Sequence, residues 1–283
     1  MNSAMSAIPY DAFMFGPFRI GEAIHPNLSG IQIHSFGLCV AVGIMVALSL
    51  MGRRAEQKLG LEEAGVHNFA FFLLVIGWCF SHVFNVIFYE PEKLVENPLI
   101  LFKVWGSISS YGGLFGGIIA AFIWKAKNPG KDFLTHCELA AWTICFAWFF
   151  GRVGCATVHD HPGAATDFPL GIAFPDGIVR HDLGFYEALW WLVICTVVWF
   201  ADKKPRPQGF YFAIIPIMYA PARFSFDFLR ESVHNGGDIR YFGLTPAQYF
   251  SVGIFIVGLY WLRRMWGQKP IVWKKYVGSP SPK

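Results

Sequence analysis

Seven apolar runs follow one another from His34 to Leu262 with no long polar linker between them. Each is about the 17 to 25 residues that cross a hydrocarbon core of about 30 Å. Inside a bilayer every backbone N–H and C=O must find a partner within the protein, so only helices and closed barrels span it. Runs of this length are helices. Charged residues make up 15% of the chain and hydrophobic residues 54%, against about a quarter charged in ordinary soluble domains. The pattern predicts an all-α integral membrane protein, a seven-transmembrane-helix bundle with a small extracytoplasmic head and arm region. The spans fall near 34–53, 67–89, 108–126, 133–151, 184–201, 208–229 and 246–264. By length alone 283 residues would suggest two soluble domains, but the even spread of the runs favours one membrane domain, 34–264. Before it lies an extracytoplasmic arm, 1–33, and after it a basic cytoplasmic tail, 265–283. Within it, 156–183 forms an outer head loop.

Residues 1–20 have neither a basic start nor a continuous apolar stretch before a small-residue cleavage site, so the first span is expected to act as its own insertion signal. The six cysteines (Cys39, Cys79, Cys137, Cys145, Cys155, Cys195) sit mostly inside apolar runs and form no CxxC pair. A disulfide framework or structural zinc site is therefore not expected. In the third run Gly112-Gly113 and Gly116-Gly117 make two interlocked small-xxx-small pairs, a signal for close helix approach. Pro216 and Pro221 predict a kink in the sixth. Repeats, low-complexity tracts and nucleotide-binding glycine loops are absent from the sequence, and nothing in it points to nucleic acid.

Lys and Arg on alternate sides of the spans divide unevenly. One side takes only Arg19, Lys93, Lys103, Arg152, Arg180, Arg223, Arg230 and Arg240 of the 23 basic residues. The positive-inside rule then sets the N-terminus outside and the C-terminus in the cytoplasm. The sparse side is mostly arginine, whose planar fork suits bidentate capture of phosphate or carboxylate.

Two polar segments stand where apolar runs end. Gly151-Arg152-Val153-Gly154-Cys155-Ala156-Thr157-Val158-His159-Asp160-His161 brings an arginine, an acid and two histidines to the boundary. Arg223, Asp227 and Arg230, spaced four and three apart, fall on one helical face with Tyr219 one turn earlier. Charges at membrane depth are expensive enough that function is the default reading. The plainer alternative is an ion pair between Arg223 and Asp227 that locks the bundle. Arg230 lies near enough to the surface to snorkel.

The ordered series Ile33-His34-Ser35-Phe36-Gly37, Val104-Trp105, Ser110-Tyr111-Gly112-Gly113-Leu114, Gly151-Arg152-Val153-Gly154, Arg180-His181, Tyr186-Glu187-Ala188, Lys204-Pro205-Arg206-Pro207, Tyr219, Arg223-Phe224, Asp227-Phe228-Leu229-Arg230 and Gln248 resembles the prolipoprotein diacylglyceryl transferases. These are bacterial inner-membrane enzymes that modify the lipobox cysteine of exported lipoproteins. The resemblance implies transfer of a diacylglyceryl group from phosphatidylglycerol to a cysteine thiol of a prolipoprotein, with release of glycerol phosphate and without a cofactor or metal. It makes Arg152 and Arg223 the phosphate ligands, with Arg230 beside them and Tyr219 and Asp227 in support; Tyr111 and Cys155, at positions where the chain departs from the family, are further supporting candidates. The departures lie at polar positions. Where the family has Asn after its Gly-Arg-x-Gly, then a second Asn and a Gly-Glu pair, this chain has Cys155, Val158 and His159-Asp160. Its His-Gly-Gly is Tyr111-Gly112-Gly113 here, a first-span tyrosine is Phe36, and a second-span arginine is His82.

Such a reaction must stabilise charge on the departing phosphate and remove the thiol proton. For the base, His159, Asp160, His161 and His181 are the local candidates, since an unperturbed histidine titrates near 6.5 and a partly dry acid rises toward neutrality. Each histidine alone could instead be a hydrogen-bonding structural residue. Glu187 could orient Arg152 or His181, or form a structural ion pair. Cys155 beside Arg152 is either an activated nucleophile or a small buried side chain.

Two rival readings stay open on the sequence. His159-x-His161 with Asp160, His181 and Asp182 could ligate a divalent metal in a phospholipid hydrolase. Alternatively, the chain is a lipid-binding or partner-binding paralogue without catalysis, since Tyr111 and Val158 replace polar groups. In the head loop, the runs 170–174 and 177–179 have short-strand character around Pro175-Asp176.

Overall fold

The apolar runs become helices whose ends are set by local chemistry. The structure, a computed structural model, describes residues 7–15, 18–20, 31–104, 106–231 and 238–277. Trp105, most of the N-terminal arm and the end of the tail lie outside the described residues. The long helices are α1 (Ser35–Lys58), α2 (Glu63–Tyr89), α4 (Ser110–Lys127), α5 (Phe133–Val158), α6 (Leu183–Ala201), α7 (Phe210–Phe226) and α8 (Pro246–Met265), with the short α3 (Pro91–Glu96) between α2 and α4. Asp132 caps α5 by accepting from Thr135 N at 3.2 Å, and Asp182 caps α6 through Phe185 N at 2.8 Å. α8 opens with a reciprocal Thr245/Gln248 capping box and proline in its first turn, which together satisfy donors a helix leaves orphaned.

Five of these helices, α1, α2, α5, α6 and α7 continued to Leu229, are long and apolar enough to cross a membrane. α4 and α8 are less apolar, yet they hold Ile118, Phe122, Val252 and Ile256 exposed. Large apolar side chains also face outward on α1, α2 and α6, whereas Arg54, Arg152, Glu187, Arg223 and Asp227 are buried. That is the distribution an integral membrane protein requires, lipid-compatible outside and polar only where polar groups meet each other. The two interior prolines leave α7 continuous.

α1 packs along α5, α2 along α4, α7 along α8, and α5 along α6. At the α2–α4 crossing a Cβ on Gly112 would meet Phe84 Cβ at 2.4 Å, and one on Gly116 would meet Phe80 Cβ at 2.5 Å and Gly77 Cα at 2.9 Å. The partners Gly113 and Gly117 take no comparable part. One of the two glycine pairs is therefore the contact. The core gathers Met51, Phe69, Trp124, Leu139, Trp142, Trp191, Ile194 and Tyr211.

A small sheet caps one end of the bundle. Its strands β4 (Pro162–Ala165), β5 (Ile172–Ala173) and β6 (Val179–Asp182) are joined by β1 (Ile8–Pro9) from the N-terminal segment, in the order β1-β5-β6-β4. β5 and β4 run antiparallel to β6, with Ile172 opposite Arg180 and Pro162 opposite Asp182, and β1 lies parallel to β5. The turn expected at Pro175-Asp176 is closed by Asp176 Oδ1 accepting from Ile178 N at 3.0 Å. A separate antiparallel pair, β2 (Phe18–Ile20) and β3 (Ile31–Ile33), precedes α1.

The opposite end is pinned by Asp202, whose carboxylate accepts from Arg54 Nε at 3.0 Å, Lys58 Nζ at 2.8 Å and Tyr211 Oη at 2.9 Å. The basic tail straps across this end: Lys274 N donates to Lys58 O and Ile271 N to Arg206 O. Backbone hydrogen bonds outweigh its charge there. Gly116→Ala should destabilise the bundle by about 1–3 kcal/mol, the usual result of overpacking, while Gly117→Ala should be neutral. Thermal unfolding in detergent measures both, and equal midpoints would refute the crossing.

Candidate active site

α5 runs two turns past the predicted end of its apolar run and stops only at His159, whose φ of 48° and ψ of 41° are left-handed. This conformation ends many helices, and histidine tolerates it better than most side chains. The extension carries Arg152 and Cys155 on helix rather than loop. Gly154 makes it possible to seat that turn on α1, because a Cβ there would lie 3.2 Å from Phe36 O and 3.1 Å from Cys39 Cβ. Gly151, the other glycine of the motif, faces open space.

Arg152 meets Glu187 from α6, Nε to Oε2, at 3.0 Å, and Arg223 from α7 lies 3.6 Å from Glu187 Oε1. Arg223 also pairs with Asp227, four residues on, through Nη1 and Oδ1. The same Asp227 oxygen accepts from Arg230 Nε at 2.8 Å, and Arg230 Nη1 reaches Asp238 at 2.9 Å. Thr245, the cap of α8, closes the other Asp227 oxygen. The result is one alternating row: Arg152, Glu187, Arg223, Asp227, Arg230, Asp238. Glu187 is 1% exposed and Asp227 fully buried. The guanidiniums approach Glu187 off the hydrogen-bond direction, so neither of its oxygens has a directed donor; the attraction there is Coulombic. Among the described residues, no hydrogen bond engages the terminal nitrogens of Arg152.

Three tyrosines enclose the row. Tyr219 is buried beside Glu187, Arg152 and Arg223, its ring 4.9 Å from Trp191. Tyr111 and Tyr89 face Arg223 and Asp227. The Tyr111 hydroxyl is 2.7 Å from Ser251 Oγ, which itself donates to Ala247 O, so the tyrosine is the donor and is fixed in place.

Beside Arg152, Cys155 Sγ, an Asp160 carboxylate oxygen and a ring nitrogen of His161 all lie within 4.8 Å of one another. Asp160 is hydrogen-bonded to Cys155, and burial raises its pKa against the opposing charge of Arg152. His161 Nδ1 stands 2.8 Å from the Asp160 carbonyl, which can only accept, so Nδ1 carries the proton. Desolvation, then the positive field of Arg152, Arg230 and Arg223, hold the His161 pKa well below its ordinary value. The imidazole is neutral at physiological pH.

The other two expected histidines are not brought to the arginines. His159 is committed at both nitrogens, Nδ1 to Asp182 at 2.5 Å and Nε2 to Tyr10 O at 2.8 Å. Both neighbours accept, so the ring is doubly protonated: burial opposes the charge, but the bond to Asp182 outweighs it and raises the pKa. His159 thus pins the N-terminal segment and β6 to the end of α5; it has no lone pair for a thiol proton. His181 bonds Tyr186 Oη at 3.0 Å and lines an apolar groove of about 430 Å³ with Phe168, Leu170 and Leu189. Of the metal set His159, Asp160, His161, His181 and Asp182, the structure brings together Asp160 and His161, while His159 and Asp182 bond each other and His181 turns to Tyr186, so the set is not assembled. Glu187 orients Arg152 but not His181, and Arg230 turns inward to Asp227 instead of snorkelling.

Three members of the site escape a sequence reading. Thr245 carries a signal, since Thr-Pro-x-Gln spells a capping box, but Asp238 and Tyr89 reach the row through folding alone.

Residues 24–264 match the family model for prolipoprotein diacylglyceryl transferase. The chain is 31% identical over 262 residues to the phosphatidylglycerol–prolipoprotein diacylglyceryl transferase of Acinetobacter baumannii, covering 89% of this chain and 94% of that protein. The protein of that name in Vibrio atlanticus is 34% identical over 253 residues, 86% of this chain and 89% of its own. The chain belongs to the prolipoprotein diacylglyceryl transferase family. It is thus a member of a transferase family, and in this chain the Gly-Arg-x-Gly, Tyr-Glu and Arg-x-x-x-Asp-x-x-Arg segments converge on one row.

Asp227 neutralises two arginines, so Asp227→Asn should destabilise the protein by about 3–5 kcal/mol, the scale for removing one member of a buried ion pair. Melting in detergent tests this, and an unchanged midpoint would show that the row does not hold α7 to α8.

Proposed function

We propose that the protein transfers the diacylglyceryl group of phosphatidylglycerol to the lipobox cysteine of prolipoproteins in the bacterial inner membrane. The observation that carries this reading is the pair Arg152 and Arg223, buried, drawn from different helices and held by one acid, Glu187. Both retain donors, and an anionic headgroup is what such donors lack. The names of the relatives supply the donor lipid and the class of acceptor.

In this reading the phosphate lies against Arg152 and Arg223, with Arg230 at the edge. Glu187 fixes the spacing of the first two, so the donors are organised before charge develops on the leaving phosphate, the arrangement that stabilises a transition state most. The acceptor thiol loses its proton at the corner formed by Cys155, Asp160 and His161. Its sulfur attacks the glyceryl carbon, the carbon–oxygen bond to phosphate breaks, and glycerol phosphate departs. The row lies at the end of the bundle that carries the sheet, which we assign to the extracytoplasmic side from the lysine and arginine distribution. In that orientation α4 and α8 complete seven spans, 34–264 is the catalytic domain, and the sheet is an outer head above it.

The test is purified protein with phosphatidylglycerol vesicles and a lipobox peptide, read by mass spectrometry for the thioether-linked diacylglyceryl mass. Absence of that product from well-folded protein would reject the acceptor. Arg152→Lys and Arg223→Lys should each lower kcat by about 10²–10³, the loss expected when one organised donor is removed. Full activity in either would take that arginine out of the phosphate site.

A further inference from the structure

We infer that Nε2 of His161 is the general base of the reaction: it takes the proton of the acceptor thiol as that sulfur attacks the glyceryl carbon. The inference rests on the diacylglyceryl transfer proposed above and names the residue that carries its proton.

Geometry selects His161 from the candidates. Its Nδ1–H donates to the Asp160 carbonyl at 2.8 Å, and a neutral imidazole with its proton on Nδ1 keeps a lone pair on Nε2. No hydrogen bond among the described residues engages that second nitrogen. The backbone fixes the ring's place: His161 O accepts from Leu183 N, the first residue of α6, at 3.1 Å, and Pro162 follows in β4. The side chain keeps 28% of its surface exposed, so an acceptor can reach it. The other candidates are spent. His159 is bonded at both nitrogens, His181 turns to Tyr186, the Tyr111 hydroxyl goes to Ser251, and Asp160 pairs with the Cys155 thiol.

Charge decides when this base works. The charged groups that face His161 are Arg152 on α5, Arg223 on α7, Arg230 just beyond α7, and Asp160 alongside, with a carboxylate oxygen 3.7 Å from Nδ1. On β6, Asp182 and His181 have partners elsewhere. Desolvation and the three guanidiniums keep the ring unprotonated and make it a weak base before the donor binds. A phosphodiester on the same guanidiniums sets a negative charge beside the ring, and a nearby opposite charge favours the imidazolium. Proton affinity therefore rises as phosphatidylglycerol arrives, so the thiol meets a competent base only beside a bound donor. The arginines that weaken the imidazole also favour the thiolate, and the Asp160 carboxylate faces the imidazolium once it forms. In the step itself the S–H bond breaks to Nε2 and sulfur bonds the glyceryl carbon. The electron pair of the broken carbon–oxygen bond leaves on the phosphate, whose oxygen then takes the proton from Nε2.

The test uses full-length protein in detergent with phosphatidylglycerol and a lipobox peptide. His161→Gln and His161→Ala should each lower kcat by about 10²–10⁴, the contribution of a positioned general base, with the KM for phosphatidylglycerol unchanged. Added imidazole should restore part of the rate to His161→Ala, His181→Gln should keep the wild-type rate, and melting curves report that each variant is folded. Wild-type activity should fall as pH drops through the His161 pKa. That acid limb should lie at higher pH in kcat, which reports the donor-bound enzyme, than in kcat/KM for phosphatidylglycerol, which reports the free one. Histidine-labelled NMR reads the same group without turnover: the resonance lost in His161→Gln should titrate at higher pH with phosphatidylglycerol than without it. Full-rate transfer by either His161 variant overturns the base while the transferase reading stands. A resonance that phosphatidylglycerol leaves unmoved overturns it as well, since the phosphate then does not face this ring. If wild type makes no thioether product but the resonance still shifts with phosphatidylglycerol, the acceptor assignment falls, and the base assigned to it falls with it.

Discussion

The row from Arg152 to Asp238, buried as far as Asp227, is the constraint that the rest of the molecule serves. Each charge carried out of water loses several kcal/mol of solvation, and pairing often no more than repays it. A row of six such groups, taken from α5, α6, α7 and the loop before α8, is therefore poor material for stability alone; well-packed apolar residues would hold these helices as firmly. What the row offers instead is a set of arginines held by acidic partners and not saturated. Asp227 is satisfied from three sides, by Arg223, Arg230 and Thr245, whereas Glu187 has charge neighbours but no directed donor. The rigid end of the row is at Asp227. The end with spare hydrogen-bonding capacity is at Glu187 and Arg152.

That asymmetry explains the architecture around it. Arg152 can sit at the open end only if α5 continues past its apolar run, and the continuation is held by Gly154 against α1 and by Thr157 against Ser35 Oγ at 3.0 Å. The helix is then stopped by a left-handed His159 whose charged ring draws in Asp182 and the Tyr10 carbonyl. The sheet, the N-terminal segment and the caps of α5 and α6 meet at that one imidazole. Removing it would loosen the cover over the site while leaving every member of the row in place.

The long helices were legible because membrane helices announce themselves by length and apolarity, and apart from the C-terminal end of α5 each run recurs within a few residues of its expected bounds. The end of α5 was not legible. Hydropathy falls at Gly151 because Arg152 is charged, yet the backbone continues, since its partner Glu187 arrives from another helix. The same blindness hid Asp238 and Tyr89, whose contribution exists only after distant segments meet. His159-x-His161 misled in the opposite way: two histidines two apart suggest one shared task, but the left-handed backbone of His159 itself sends the two rings to different surroundings, one to Asp182 and one to the arginines.

The polar substitutions relative to the family look scattered along the chain, and in space two of them bear on the same chemistry. Tyr111 brings a hydroxyl to the row but spends it on Ser251, so it can steady Arg223 and cannot accept a proton. Cys155 brings a thiol within reach of Asp160 and His161 on the opposite flank of Arg152. In the proposed transfer, proton handling lies at the last turn of α5, where the Cys155 sulfur, an Asp160 carboxylate oxygen and a neutral His161 imidazole converge. A site that ionises a thiol beside three arginines, as the proposed transfer requires, has little use for another cationic acid–base group.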